Sequence, residues 1–500
     1  MSEVVRKKTG ADILKDPIAM IVFLLIAFGI GIFIANGGFM IAGLFLIIPF
    51  MLVYLNRLFI NPRIGLYSLV IAAFTAIGLA RYIPGNPPLG LSIDGLLAIT
   101  YIAIFFKFFY KKTDLRPVLN DLMLLNLIWF LYEVAEFFNP MTLNRVAWFY
   151  VVRGFSLYML MTVPLTLVLF NRVKYLYIFL YLWAFFSILV TLKGMMQLYL
   201  GPDFAEQRWL DAGGATTHVL FGELRIFSFL SDAGQFGAQQ GAAMVVGSIL
   251  ALHIPGFRNK VLFGLMGLMG FYGMMISGTR GAIIVPGVGF ILYLIYTKNI
   301  RALIIGAILL MGVYSFFRYT YLGQGVAQIR RMRTAFRPQE AASLEVRLQT
   351  REVLQKYLAD KPFGGGLGMA GNFGKRFAPQ GFLAQIATDS YYVHIWAEQG
   401  IIGLLLFLFV SFYIMLKGSF YVLARLESEE IKYITGALLA GIGGIMGASY
   451  GNGVFGQHPT GILIYMSMAF IFMSPWLDDE MLAIKGKKGN IFGNYKDWIK

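Results

Sequence analysis

The chain has 500 residues, of which 58% are hydrophobic and 14% charged, with a formal net charge of +16. So low a charged fraction excludes an ordinary soluble domain, in which about 25% of residues are charged. The lack of any cysteine excludes a disulfide framework and a thiolate metal site. The four histidines, His218, His253, His394 and His458, are too scattered to compose a metal site, and the basic charge follows membrane topology rather than nucleic acid.

A helix needs roughly 20 apolar residues to cross a bilayer. About fourteen runs approach that length: near 18–35, 39–56, 64–80, 90–109, 119–138, 148–170, 174–196, 233–254, 260–277, 281–297, 301–317, 393–416, 432–449 and 459–475. They are too long and continuous for barrel strands, so the expected fold is an all-α polytopic membrane protein with 12–14 transmembrane helices. The first run follows Arg6, Lys7, Lys8 and Lys15 and lacks a small-residue cleavage site, which predicts an uncleaved first helix with the N-terminus in the cytoplasm.

Positive charge then alternates along the chain as that orientation requires. The inner connections hold Arg57 and Arg63; Lys111, Lys112 and Arg116; Arg172 and Lys174; Arg258 and Lys260; Lys298 and Arg301; Lys417 and Arg425; and the lysine-rich tail after Lys485. The short outer turns hold only Arg81, Arg145 and Arg280. Two long loops fall outside, at about 197–232 and 318–390. The second carries eight arginines and three lysines against five acidic residues. Long loops cross regardless of charge, so this basic surface suits either solvent and lipid headgroups or an anion. Within it, Arg330, Arg333 and Arg337 fall on one helical stripe, and Ser343–Leu358 predicts a second helix with Arg347 and Arg351 one turn apart. The chain thus divides into 1–317 with eleven helices, the external loop domain 318–390, and 391–500 with three helices and a basic cytoplasmic tail.

The stretch GGGLGMAG, Gly364–Gly371, contains a G-x-G-x-x-G. A dinucleotide fingerprint requires a strand before it. Here a helix and Pro362 precede it, on the face away from cytoplasmic nucleotides. The glycines are expected to turn the backbone tightly, and their N–H groups could meet an anion.

Four elements in order carry a resemblance: LRIFSFLSDAGQFGA at 224–238, SGTRGAII at 277–284, RLQTREVLQKYLADKPFGGGLG at 347–368 and TDSYYVHIWAEQGIIGLLLF at 388–407. Together they resemble the O-antigen polymerase and O-antigen ligase superfamily of bacterial inner-membrane glycosyltransferases. The resemblance runs from about Glu223 to Phe407. It implies a large periplasmic loop before the last three helices and a glycan donor on undecaprenyl diphosphate. The acceptor would be a glycan or a lipid A-core, and neither metal nor nucleotide cofactor is implied. Many members carry His-Asn where this chain has Asp389-Ser390. Asp389 and His394 are five residues apart, which on a continuous helix places them on different faces.

The chemistry needs cations for a leaving diphosphate and an acceptor for a hydroxyl proton. Arginine binds two phosphate oxygens and stays charged. The candidates for the diphosphate are Arg225, Arg280, Arg347 and Arg351; those for the base are Asp389, His394 and Glu398, with Ser390, His394 and Glu398 on one stripe. Each has a plainer reading. Arg280 could snorkel to lipid phosphate, His394 could be a satisfied helix-start residue, and Glu398 could lock the bundle. Asp94, Lys107, Glu133, Glu136, Arg153 and Lys193 are further intramembrane charges, read as structural pairs, with Arg153 set to neutralise Glu133 or Glu136. These residues permit a polymerase, a ligase or protein O-oligosaccharyltransferase, or, in another class, a transporter or flippase using the intramembrane charges as a proton path.

Overall fold

The computed structural model describes residues 47–83, 85, 87–110, 114–220, 222–336 and 342–486, with isolated positions before 47. The chain divides into a short unit, Met1–Ile64, and a main unit, Gly65–Lys500. In the first, Ile47–Ile60 is an apolar helix. The second is almost wholly helical; among the described residues its strands are one short hairpin, Val219–Leu220 against Glu223–Leu224.

Among the described residues nine helices are long and apolar enough to cross a membrane: Arg63–Ala80, Leu91–Phe109, Val146–Leu169, Val173–Tyr199, Phe257–Ile276, Arg280–Thr297, Tyr391–Arg425, Glu429–Ala448 and Thr460–Ile484. All nine coincide with expected runs. Of the other five, 18–35 lies outside the described residues apart from isolated positions, and 39–56 is described from residue 47, in the shorter helix Ile47–Ile60. The runs at 119–138 and 301–317 correspond to shorter apolar stretches, Asp121–Glu136 and Leu303–Tyr319. The run at 233–254 is the full-length helix Ala233–His253, but its glycines and glutamines lower its hydropathy.

That helix affords polarity because protein, not lipid, surrounds it. Gln235 Nε2 donates to Thr460 Oγ1 at 2.7 Å and Gln240 Nε2 to the Ser187 carbonyl at 3.1 Å. Gly247, Gly267 and Gly270 let it lie directly on the 257–276 helix, where small residues allow backbones to approach. The 429–448 and 460–484 helices complete a continuous buried core.

The two long loops are docked. In the first, Asp203 caps the helix Phe204–Trp209, and Lys193 bonds Asp203 at 2.7 Å and Glu206 at 3.1 Å. Arg81 stacks on Trp209 and Phe227, with its guanidinium 4.6 and 4.4 Å from the ring centres, and bonds the Ser228 carbonyl at 2.8 Å. The second loop has two anchors. Met332 and Phe336 pack with Phe317, Met274 and Ala282, while Leu354, Leu358, Met369 and Leu383 pack against Ala147 and Ala397.

Candidate active site

The late helix Tyr391–Phe420 is interrupted at Gly400, whose φ of 66° and ψ of −168° leave the helical range. A Cβ at Gly400 would overlap the Pro362 carbonyl oxygen, so only glycine lets the two backbones meet. The break releases two carbonyls. Ala397 O accepts the Gly365 N–H and Glu398 O the Gly366 N–H, both at 2.9 Å. The glycine stretch is therefore a backbone clasp on this helix. Gly364 (φ 77°) and Gly366 (φ 95°) hold left-handed conformations that keep it close.

The clasp encloses the Glu398 side chain, which is fully buried. Its Oε1 accepts the Ala370 N–H at 2.9 Å and lies 3.5 Å from His394 Nε2. The backbone of this loop thus meets a carboxyl group, and it is the chain's own. On its other side His394 Nδ1 is 2.8 Å from Thr388 Oγ1, and the ring stacks on Phe155 with centroids 5.6 Å apart. The predicted Ser390–His394–Glu398 stripe is present, with the imidazole held on both nitrogens.

A cavity of about 600 Å3 opens beside it, lined among others by Tyr150, Arg153, Phe373, Lys375, Asp389 and His394. Asp389 and His394 share this cavity, which corrects the expectation from helical angle. The helix begins at Tyr391 with Ser390 at its N-cap position, so Asp389 precedes it and the angular rule does not apply. Glu398 is not part of the lining.

The arginines gather elsewhere. Arg225 follows the hairpin, its N–H donating to the His218 carbonyl at 2.8 Å, and its guanidinium bonds Thr279 Oγ1 at 3.3 Å. Arg280 reaches Thr334 Oγ1 at 3.5 Å, and Arg331 bonds Glu223 at 3.2 Å. Burial pushes Arg225 below the usual arginine range; Asp232 opposes this, and the neighbouring Arg331 and Arg280 add to it. Arg331 and Arg280 both act on Arg225, so three guanidinium groups lie near one another on this side.

The connection 450–457 adjoins both groups. A side chain at Gly281 would touch Asn452, and Gly453, Gly456 and Gln457 line the cavity. Asn452 Nδ2 is buried without a hydrogen bond in the chain. Arg351 bonds Tyr450 Oη at 2.7 Å and stacks on its ring at 4.7 Å. The Arg347 side chain lies outside the described residues, as does Arg337.

Two further expectations change. Arg153 bonds Asp94 at 3.1 Å, not Glu133 or Glu136, which accept from Gln399 and Asn139. The Arg330–Arg333 stripe splits: Arg330 lies 3.6 Å from Glu223, whereas Arg333 is buried against Phe316 and the Leu322 carbonyl. The structure adds Arg331 beside Arg225, and Lys375 and Arg153 in the cavity lining, to the residues expected there. For Arg153 the signal was its charge inside an apolar run; for the other two no local pattern pointed to the site. Among the described residues no group of three or more His, Cys, Asp or Glu is placed to hold a metal.

Residues 261–408 match the family model for the O-antigen ligase. The matched segment includes Arg280, Arg331, Lys375, Asp389, His394 and Glu398, whereas Arg153, Arg225 and the 450–457 connection lie outside it. The comparison with curated proteins finds no match.

Proposed function

The chain belongs to the O-antigen ligase and polymerase superfamily, whose members are glycosyltransferase-like membrane enzymes acting on lipid-linked glycans, and from that premise we propose that it is a polymerase. In this reading it transfers a glycan from undecaprenyl diphosphate to the hydroxyl of an acceptor sugar. The reaction takes place on the periplasmic side of the bacterial inner membrane, with both termini in the cytoplasm. One observation carries the reading. The grouped arginines Arg225, Arg280 and Arg331 and a cavity lined by a carboxylate and an imidazole both adjoin the 450–457 connection.

The acceptor oxygen attacks the anomeric carbon, and the bond from that carbon to the diphosphate oxygen breaks. The electron pair leaves on the diphosphate, where Arg225, Arg280 and Arg331 meet the charge as it develops. The hydroxyl proton passes to Asp389 as base. His394, fixed by Thr388 and Glu398, orients the acceptor. The residues supply charge neutralisation themselves, so this route requires no metal.

Ligation to a lipid A-core, or transfer to a protein, uses the same chemistry with another acceptor. Asp389-Ser390 in place of His-Asn supports polymerisation. Transport is supported less, because Lys193 pairs with Asp203 and Glu206, as a structural tie would. The test is a deletion strain, with a gel of surface glycans beside an assay of the undecaprenyl-linked pool. Single repeats on the usual acceptor identify a polymerase. Long chains stranded on undecaprenyl diphosphate identify a ligase, and two normal pools reject glycosyl transfer.

A further inference from the structure

We infer that the cavity is the acceptor's site and that Arg153, with Lys375, binds an oxyanion carried by the acceptor, separately from the donor diphosphate at the arginine cluster. The inference rests on the glycosyl-transfer reading and extends it to a second anionic substrate.

Arg153 stands eight residues into an apolar span, where a charge is costly unless it meets a partner or a water-filled space. It has both. The α-helix Val146–Val152 runs into one π-turn, Arg153–Leu157, before continuing as Tyr158–Leu169. Such a turn inserts an extra residue and redirects side chains, and it is frequent at functional sites. The turn places Arg153 in the cavity wall with its side chain 22% exposed. Asp94 holds only Nη1, at 3.1 Å, and its same oxygen also accepts from Tyr158 Oη at 3.1 Å. Asp94 is not part of the lining. Arg153 Nε is buried and makes no hydrogen bond in the chain. The pairing therefore orients the guanidinium and leaves part of its donor fork unspent.

Lys375, exposed on the short helix Gly371–Phe377, lines the same cavity. Asp94 binds Arg153 from outside the lining, so the wall itself presents the donors of Arg153 and Lys375 beside one carboxylate, Asp389, an arrangement suited to an anion. Tyr150 and Phe373, with ring centroids 6.1 Å apart, also line it and offer apolar faces to a sugar ring. None of Arg225, Arg280 and Arg331 lines the cavity, so the two cationic groups are distinct. The oxyanion is either a phosphate of the acceptor's carrier or the carboxylate of an acidic sugar.

The test is calorimetric titration of the purified full-length protein in detergent with inorganic pyrophosphate, then with glucuronate. The expected isotherm shows two independent pyrophosphate sites. Arg153→Gln and Lys375→Gln should each weaken one of them by about tenfold or more, the loss of a charged hydrogen bond. Arg280→Gln should remove the other, and Arg153→Lys should keep both. Glucuronate displacing pyrophosphate from the Arg153 site alone supports a carboxylate source, and no displacement supports a phosphate source. Lys375 is exposed, so its variant decides the matter even if Arg153→Gln misfolds. A single wild-type site lost in Arg280→Gln overturns this inference and leaves the proposed function standing. Pyrophosphate binding unaffected by Arg280→Gln overturns the donor assignment instead.

Discussion

The Ala370 N–H donates to the buried carboxylate of Glu398 at 2.9 Å, and this bond joins the glycine clasp to the helix that carries His394. Glu398 is thereby a positioning residue. Glu398→Gln retains an acceptor oxygen of the same shape and should keep the fold with reduced transfer. Glu398→Ala strands a buried N–H, which costs about 1–3 kcal/mol. Thermal melts of both variants in detergent check this, and equal melts for wild type and Glu398→Ala would reject the clasp's dependence on the carboxylate.

Gly400→Ala should be the more damaging change. Its φ of 66° disfavours any side chain, and the new methyl meets the Pro362 carbonyl oxygen. Left-handed strain alone is worth about 1–3 kcal/mol. The expected outcome is faster proteolysis between Pro362 and Gly371; an unaltered digestion pattern counts against the backbone clasp.

Burial, together with the neighbouring Arg331 and Arg280 and against Asp232, depresses Arg225, so this residue serves binding at the expense of folding. Arg225→Gln should abolish transfer while the thermal midpoint stays level or rises. A variant that loses both activity and stability would assign Arg225 to the structure instead. Arg280→Ala should likewise stop transfer in a protein that still folds and inserts, and normal glycan products would remove Arg280 from the site.

Asp389→Asn keeps the size and loses the basicity. Turnover should fall by about 10²–10⁴-fold with donor affinity nearly unchanged. An unchanged rate rejects Asp389 as the base and turns attention to His394.

His458, just ahead of the last helix, is half-buried with its Nδ1 enclosed; burial, aided by the charge of Arg153, lowers it from the ordinary 6.5 to about 4. The folded state thus prefers neutral imidazole, and the unfolded chain binds the extra proton first. The stability this provides is complete above pH 6.5 and is lost as pH falls towards 4. The slope from one proton is at most about 1.4 kcal/mol per pH unit. His458→Gln should flatten the melting midpoint between those limits. A slope equal to wild type would show that other groups govern acid stability.

What the sequence determined is what depends on local order. Apolar runs such as 174–196 and 432–449 must be helices, because lipid and the bundle core leave backbone groups no other partners. Proline after Lys361 and the turn-forming glycines 364–371 end one element and bend the next. The stripe Ser390–His394–Glu398 follows from helical spacing alone, and the match to residues 261–408 takes in the last three of the quoted motifs, the first lying before it. Tertiary structure decided the rest. Whether Asp389 shares a space with His394 depends on where the helix begins, and a contact with Ser449, 58 residues beyond Tyr391 in the chain, fixes that start. Arg331 joins Arg225 and Arg280, and Arg153 chooses Asp94 over the nearer Glu133, because packed helices bring together charges that sequence distance keeps apart. Charge pairing in a buried space depends on approach and solvent access, and neither is written in the spacing of residues along the chain.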